Sequence, residues 1–176
     1  SFMQAAESFD YIVVGGGSSG CVVAARLAEA GAGSVLLLEA GERAEQNPET
    51  LAADGFIRAF SNDRVMLDRL SQAQTHCANR HLYMGSGMGM GGSGAVNGMV
   101  YTRGDQQDYA QWPAGWHWQD VAPVFEQLEQ RLRVKVRTAT PFTTTCVDAS
   151  LQAGFKRKDE LNDGDLCGYI GYQLMN

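Results

Sequence analysis

Apolar positions set a strand–helix–strand rhythm over the first forty residues. Tyr11-Ile12-Val13-Val14 is an unbroken apolar run ending in glycines, the pattern of a strand covered on both faces of a parallel sheet. Residues 18–30 are rich in small and apolar side chains and run into Gly31, a helix stop. Val35-Leu36-Leu37-Leu38 predicts a second buried strand, and two strands joined by a crossover helix make a right-handed βαβ unit. The rhythm then weakens. Between Gly41 and Tyr83 the pattern predicts a short helix after Pro48 and a second over residues 61–74, from Val65, Met66 and Leu70. A longer helix is predicted over residues 118–130, where Val121, Phe125, Leu128 and Leu132 recur at helical spacing. Leu132, Val134 and Val136 alternate with basic residues as in a half-exposed strand. Thr140-Pro141 reads as an N-cap and first helical position, with Gly154 closing that helix. Residues 156–165 read as a charged, solvated loop, and Tyr169 to Leu174 as strand-like.

Composition narrows the function classes. The chain has 176 residues, with 14 basic against 20 acidic side chains and a net charge of −6. That sign argues against nucleic acid as a partner. No apolar run approaches the roughly 18 residues of a membrane span, and residues 1–9 lack the basic start and apolar core of a signal peptide. A cytoplasmic location is expected. Ser1-Phe2 ahead of Met3 reads as a cloning remnant. Cys21, Cys77, Cys146 and Cys167 lie far apart without a CxxC pair, so reduced thiols and no metal site are expected. His76, His81 and His117 read as surface or packing residues. Asp105 and Asp108 read as caps for the next turn, and Trp112, Trp116 and Trp118 as an aromatic packing cluster.

Glycine carries the chemistry. There are 21 in 176 residues, against about 7% in ordinary proteins. Gly15, Gly17 and Gly20 form G-x-G-x-x-G after a predicted strand and at the start of a predicted helix, with the acidic Glu39 beyond. That context is the one a dinucleotide site requires. Gly15 makes the tight turn, Gly17 admits the pyrophosphate to the backbone, and Gly20 lets helix pack on strand. The helix N-terminus supplies free N–H groups to the phosphates. Glu39 is expected to accept hydrogen bonds from the adenosine ribose, which disfavours a 2′-phosphate. FAD and NAD both remain open at this point.

Residues 87–110 read G-M-G-M-G-G-S-G-A-V-N-G-M-V-Y-T-R-G-D-Q-Q-D-Y-A. This segment resembles that of the glucose–methanol–choline oxidoreductases, with Gly91, Gly92, Ser93, Asn97, Gly98, Met99, Tyr101, Arg103 and Gly104 in register. Residues 10–21, 35–41, Trp116 and residues 120–125 continue the resemblance. It implies a Rossmann-like α/β fold, the FAD-binding core of such an enzyme, stopping before the substrate domain. The dinucleotide motif then occupies residues 3–41, the second flavin-contacting motif 84–110, and a helical and strand continuation 111–176. The cofactor-binding residues so implied are Gly15, Gly17, Ser18, Ser19, Gly20, Glu39, Ala40, Gly91, Gly92, Ser93, Asn97, Gly98, Met99 and Val100. Relatives with covalently attached FAD have a histidine directly before the asparagine. Val96 stands there in this chain, so non-covalent FAD is expected.

The resemblance implies oxidation of choline or another primary alcohol by hydride transfer to the flavin, in a parent enzyme acting on CH–OH donors. The family's active-site histidine and its partner lie beyond these residues, so no catalytic residue is assigned and this piece alone is expected to be inactive. The alternative from another class is a non-catalytic nucleotide-binding module. An NAD-linked domain lacks the second glycine motif, and family members that cleave cyanohydrins without net redox are a further ancestry that these residues leave open. Met88 replaces a usual lysine, a basic residue near Ser86 is missing, and Met90 replaces leucine, which should weaken FAD binding. Met84, Met88, Met90 and Met99 read as local packing. With neighbouring strands missing, the apolar edges of residues 11–14 and 35–38 should be exposed and favour self-association.

Overall fold

The computed structural model describes residues 7–172 and the backbone of residues 174 and 175, so the remnant expected at Ser1-Phe2 lies outside the described residues. The chain forms two compact units that divide between Gly98 and Met99.

In the first unit, β1 (Tyr11–Val14), α1 (Ser18–Glu29) and β2 (Val35–Leu38) form where the apolar pattern puts them. The two strands are parallel and in register from Tyr11 opposite Val35 to Val14 opposite Leu38. Asp10 and Ser34 lock their entry: the Asp10 carboxylate accepts from the Ser34 N–H and hydroxyl, each at 2.8 Å. The strands are apolar enough for burial on both faces, but among the described residues only these two form this sheet. Val13, Leu36 and Leu37 are half-buried, whereas Ile12 is 58% and Val14 81% exposed. The expectation of bared apolar positions is met.

Beyond β2 the chain runs through 3-10 turns at Ala44–Gln46, Pro48–Leu51 and Ala53–Gly55 into α2 (Phe56–Phe60). The helix expected over residues 61–74 does not form. Asn62 stops it: its side-chain oxygen accepts from the Arg64 N–H at 2.9 Å and its carbonyl from the N–H groups of Val65 and Met66. A side-chain amide that satisfies the backbone locally competes with helix propagation. The chain instead enters β3 (Met66–Leu67), antiparallel to β4 (Ser86–Gly87). Val65 and Met66 join Ala59 and Val96 in the buried apolar cluster of this unit. Beside it lies a polar knot: the buried Asn47 amide donates to Glu42, Asn62 donates to Asn47 and Glu49, and Arg64 pairs with Glu42 at 2.8 Å.

The second unit contains β5 (Val100–Tyr101), α3 (Gln106–Tyr109), α4 (Trp118–Leu132), β6 (Lys135–Val136), α5 (Pro141–Gln152), β7 (Lys156–Arg157), β8 (Tyr169–Ile170) and β9 (Leu174–Met175). Strands β5, β9 and β6 form one antiparallel sheet, and β7 pairs in parallel with β8. Asp105 caps α3 by accepting from the Gln107 N–H at 2.9 Å, and the Thr140 hydroxyl caps α5 by accepting from Thr143. The alternation at Leu132, Val134 and Val136 yields less strand than expected. Helix α4 runs through Leu132, and Arg133 at φ +56° turns the chain before the two-residue β6. The loop expected over residues 156–165 is not uniformly solvated. Residues 156 and 157 form β7, Leu161 and Asn162 are buried, and the Lys158 ammonium lies 4.3 Å from the Tyr169 ring centroid and 2.8 Å from Asp163.

An ion pair anchors this unit. Arg103 Nε and Nη2 each lie 2.6 Å from one oxygen of Glu129, a two-pronged match of guanidinium to carboxylate. The Tyr101 hydroxyl donates to the same carboxylate at 2.8 Å, and the Arg103 N–H donates to Asn162. Tyr109, unremarked in the sequence pattern, is the hub of the aromatic cluster: its ring lies 5.3 Å from Trp112, 5.6 Å from Trp118 and 6.4 Å from Phe125. Among the described residues no helix is long and apolar enough to cross a membrane.

Candidate functional site

The turn between β1 and α1 is drawn tight by its glycines. Gly15, at φ +100°, donates its N–H to the Leu38 carbonyl at 2.7 Å. A side-chain carbon built on Gly20 would stand 1.9 Å from the Gly15 carbonyl oxygen, so the first turn of α1 rests directly on the turn before it. Gly17 is the N-cap, without a side chain to cap the helix, and no acidic residue stands in the first turn. The opening N–H groups of a twelve-residue helix therefore face outward with their partial positive charge.

The second glycine segment packs against this turn. The Gly91 N–H donates to the Gly16 carbonyl at 2.8 Å, and a side-chain carbon on Gly92 would lie 2.9 Å from the Gly17 Cα. A side chain at position 92 would collide with the turn, so the approach requires glycine there. Gly91 caps a 3-10 turn at Gly92–Ala95, and the Ser93 hydroxyl accepts from the Gly87 N–H at 3.0 Å.

Glu39 ties the two segments together. One carboxylate oxygen accepts from the Gly16 N–H at 2.5 Å, and the other from the N–H groups of Gly41 and Gly89, both at 2.9 Å. The amides of Gly41 and then Gly16 hold its pKa below the ordinary carboxylate value against partial burial, and Gly89 adds to them. Glu39 thus has a job unexpected from sequence: it organises backbone. A cavity of about 420 Å³ opens beside it, lined by Val14, Gly15, Gly17, Ser18, Ser19, Gly20, Glu39, Gly87, Gly92 and Ser93.

Eight of the fourteen expected cofactor-binding residues line that cavity: Gly15, Gly17, Ser18, Ser19, Gly20, Glu39, Gly92 and Ser93. Ala40, Gly91, Asn97 and Gly98 lie outside its lining, although Gly91 shapes it through Gly16. Met99 and Val100 belong to the second unit. Val14 and Gly87 line the cavity in addition to those fourteen: Val14 precedes the first glycine motif and Gly87 lies within the second. The methionines are not the packing residues expected throughout. Met84 is 56% and Met90 49% exposed.

Comparison with known proteins agrees with the glycine motifs. The family model described as GMC oxidoreductase matches residues 9–176. A protein named oxygen-dependent choline dehydrogenase from Paraburkholderia xenovorans (strain LB400) is 36% identical over 90% of this chain and 32% of its own length. A protein of the same name from Xanthomonas campestris pv. campestris (strain B100) is 36% identical over 89% of this chain and 32% of its own. The chain therefore spans about a third of the length of these relatives. Among solved structures, pyridoxine 4-oxidase from Mesorbium loti superposes with a TM-score of 0.81 at 25% identity, covering 96% of this chain and 36% of that one. A formate oxidase superposes with a TM-score of 0.78 at 21% identity over 95% and 34% of the two chains.

Proposed function

The chain belongs to the GMC oxidoreductase family, and from that membership we propose that it supplies the FAD-binding part of an enzyme that oxidises choline or another primary alcohol. One observation carries the proposal: both glycine segments line a single cavity, the first through Gly15, Gly17, Ser18, Ser19 and Gly20 and the second through Gly87, Gly92 and Ser93. A nicotinamide site needs only the first. The cavity suits a pyrophosphate, because its walls are backbone N–H groups at a helix start and three serine hydroxyls. Residues Gly15 to Gly20 would hold the phosphates, Glu39 the ribose, and Gly87, Gly92 and Ser93 the flavin side. Ala40, Gly91, Asn97 and Gly98 remain the proposed outer contacts.

Bound FAD would supply the hydride acceptor that no side chain provides. The protein's share is placement. Glu39 fixes three amides before any ligand arrives, so the cradle is pre-formed and binding orders less of it. Val96 has no nucleophile, in keeping with dissociable FAD. The substrate and the histidine that would take the alcohol proton are assigned to the longer protein.

Titration of the chain with FAD, followed by quenching of flavin fluorescence, is expected to saturate at one equivalent. NAD should bind at least about tenfold more weakly. Glu39→Gln places an amide donor against a backbone donor and should weaken FAD by about tenfold, the worth of one charge-assisted hydrogen bond. A chain that quenches no flavin at any concentration would remove the cofactor assignment.

The exposed apolar positions of β1 and β2, Ile12, Val14 and Leu38, support self-association of the chain through this sheet. Sedimentation at rising protein concentration is expected to show a dimer or larger species. A single monomeric boundary at every concentration would rule it out.

A further inference from the structure

We propose that Met90 is a site of reversible oxidation by hydrogen peroxide, and that its sulfoxide loosens the cradle between the two glycine segments. Hydrogen peroxide is the oxidant, formed where a reduced flavin passes its electrons to oxygen; the presence of the flavin rests on the function proposed above. In the step itself the Met90 sulfur attacks one peroxide oxygen and the O–O bond breaks. The sulfur gains that oxygen and loses two electrons, and the other oxygen leaves as water after proton transfer.

Position singles out Met90. The residue is 49% exposed, which leaves it open to peroxide. Its sulfur nonetheless lies against the glycine turn: a side-chain carbon built on Gly16 would stand 2.6 Å from Met90 Sδ and 3.1 Å from Glu39 Oε2. The thioether and the carboxylate thus border the same small space. A sulfoxide is larger and polar, and its oxygen carries partial negative charge that the Glu39 carboxylate repels. The residues on either side of Met90 are the ones that fasten the segment: Gly89 donates its N–H to Glu39, and Gly91 donates to the Gly16 carbonyl. Displacing Met90 pulls on both bonds. Met84 is an internal comparison, 56% exposed, with its backbone N–H bonded to the Arg69 carbonyl rather than to Glu39 or Gly16. Cys21 is the competing thiol, because its sulfur lies 3.1 Å from the Gly16 carbonyl.

The test treats the whole chain and its Met90→Leu variant with hydrogen peroxide, each compared with its own untreated sample. Peptide mass spectrometry locates the added oxygen, amide exchange is read at Gly89 and Gly91, and FAD affinity is titrated. In the wild type, oxygen on Met90 should raise exchange at both glycines and weaken FAD, each by about tenfold. Methionine sulfoxide reductases should restore both. Met90→Leu should show neither change. Unchanged exchange at Gly89 and Gly91 in protein oxidised at Met90 overturns the proposal. So does a Met90→Leu variant that responds like the wild type, which would point to Cys21. If untreated chain binds no FAD, it is the function proposed above that fails, and exchange at the two glycines decides this inference on its own.

Discussion

Glu129→Ala is expected to destabilise the second unit by about 3 kcal/mol, near the low end for breaking a buried ion pair, because the two side chains keep 12% and 19% of their exposure. Against a total stability of roughly 5–15 kcal/mol for a domain, that is a large fraction. The loss is steep because the variant strands two groups at once. The Arg103 guanidinium loses both carboxylate oxygens, and the Tyr101 hydroxyl loses its acceptor. Glu129→Gln keeps one acceptor and should cost less. Trp112, Trp116 and Trp118 are the chain's three tryptophans and all lie in this unit, so tryptophan fluorescence in denaturant reads it directly. Unchanged midpoints in both variants would show the pair to be energetically idle.

Acid should reproduce the effect. Arg103 first, and then Tyr101, hold the Glu129 pKa below its ordinary value. A carboxylate whose folded pKa is depressed stabilises fully above the unfolded value of about 4.3, and that stabilisation disappears as pH falls through the lower folded value. Tyr101 acts at the other extreme. Burial, and then the Glu129 carboxylate, push its pKa up to about 12. Its contribution is complete below the unfolded value of about 10 and is lost as pH climbs through the folded value.

Gly20→Ala is the second large effect. The new methyl would stand 1.9 Å from the Gly15 carbonyl oxygen, which is backbone and cannot swing aside. The turn or the helix must shift, with an expected loss of about 3 kcal/mol, the upper range for an overpacked site, and FAD binding reduced by more than about a hundredfold. Gly17→Ala separates fold from site. Its methyl would meet only the Gly92 Cα at 4.0 Å, so melting should barely move, yet the methyl intrudes on a cavity that Gly17 lines. If both variants melt like the wild type, the close approach at Gly20 does not constrain the fold.

The parts of the fold written locally were legible in the sequence. Strand, glycine turn, helix and strand over residues 11–38 follow from short-range periodicity and a Gly31 stop, and helix α5 from Thr140-Pro141. Between residues 42 and 85 the fold depends on Asn47 and Asn62, polar side chains that are 2% exposed or bonded to distant carboxylates. Periodicity reads polar residues as surface, so that knot was invisible and Val65, Met66 and Leu70 suggested a helix. At the candidate site the glycines were legible as motifs but not as each other's partners. Contact between Gly17 and Gly92 leaves no pattern along the chain. Glu39 was found by its distance from Gly20, while its bonds to backbone amides depend on where Gly89 arrives.

That arrival has a consequence for synthesis. Glu39 and Gly89 are separated by 50 residues, and the ribosome adds about 5–20 residues per second. A nascent chain therefore carries Gly16, Glu39 and Gly41 for several seconds before Gly89 exists, with one of the carboxylate's three amide partners still unmade. The dinucleotide turn can acquire its shape early, but the cradle closes only after the second glycine segment has emerged.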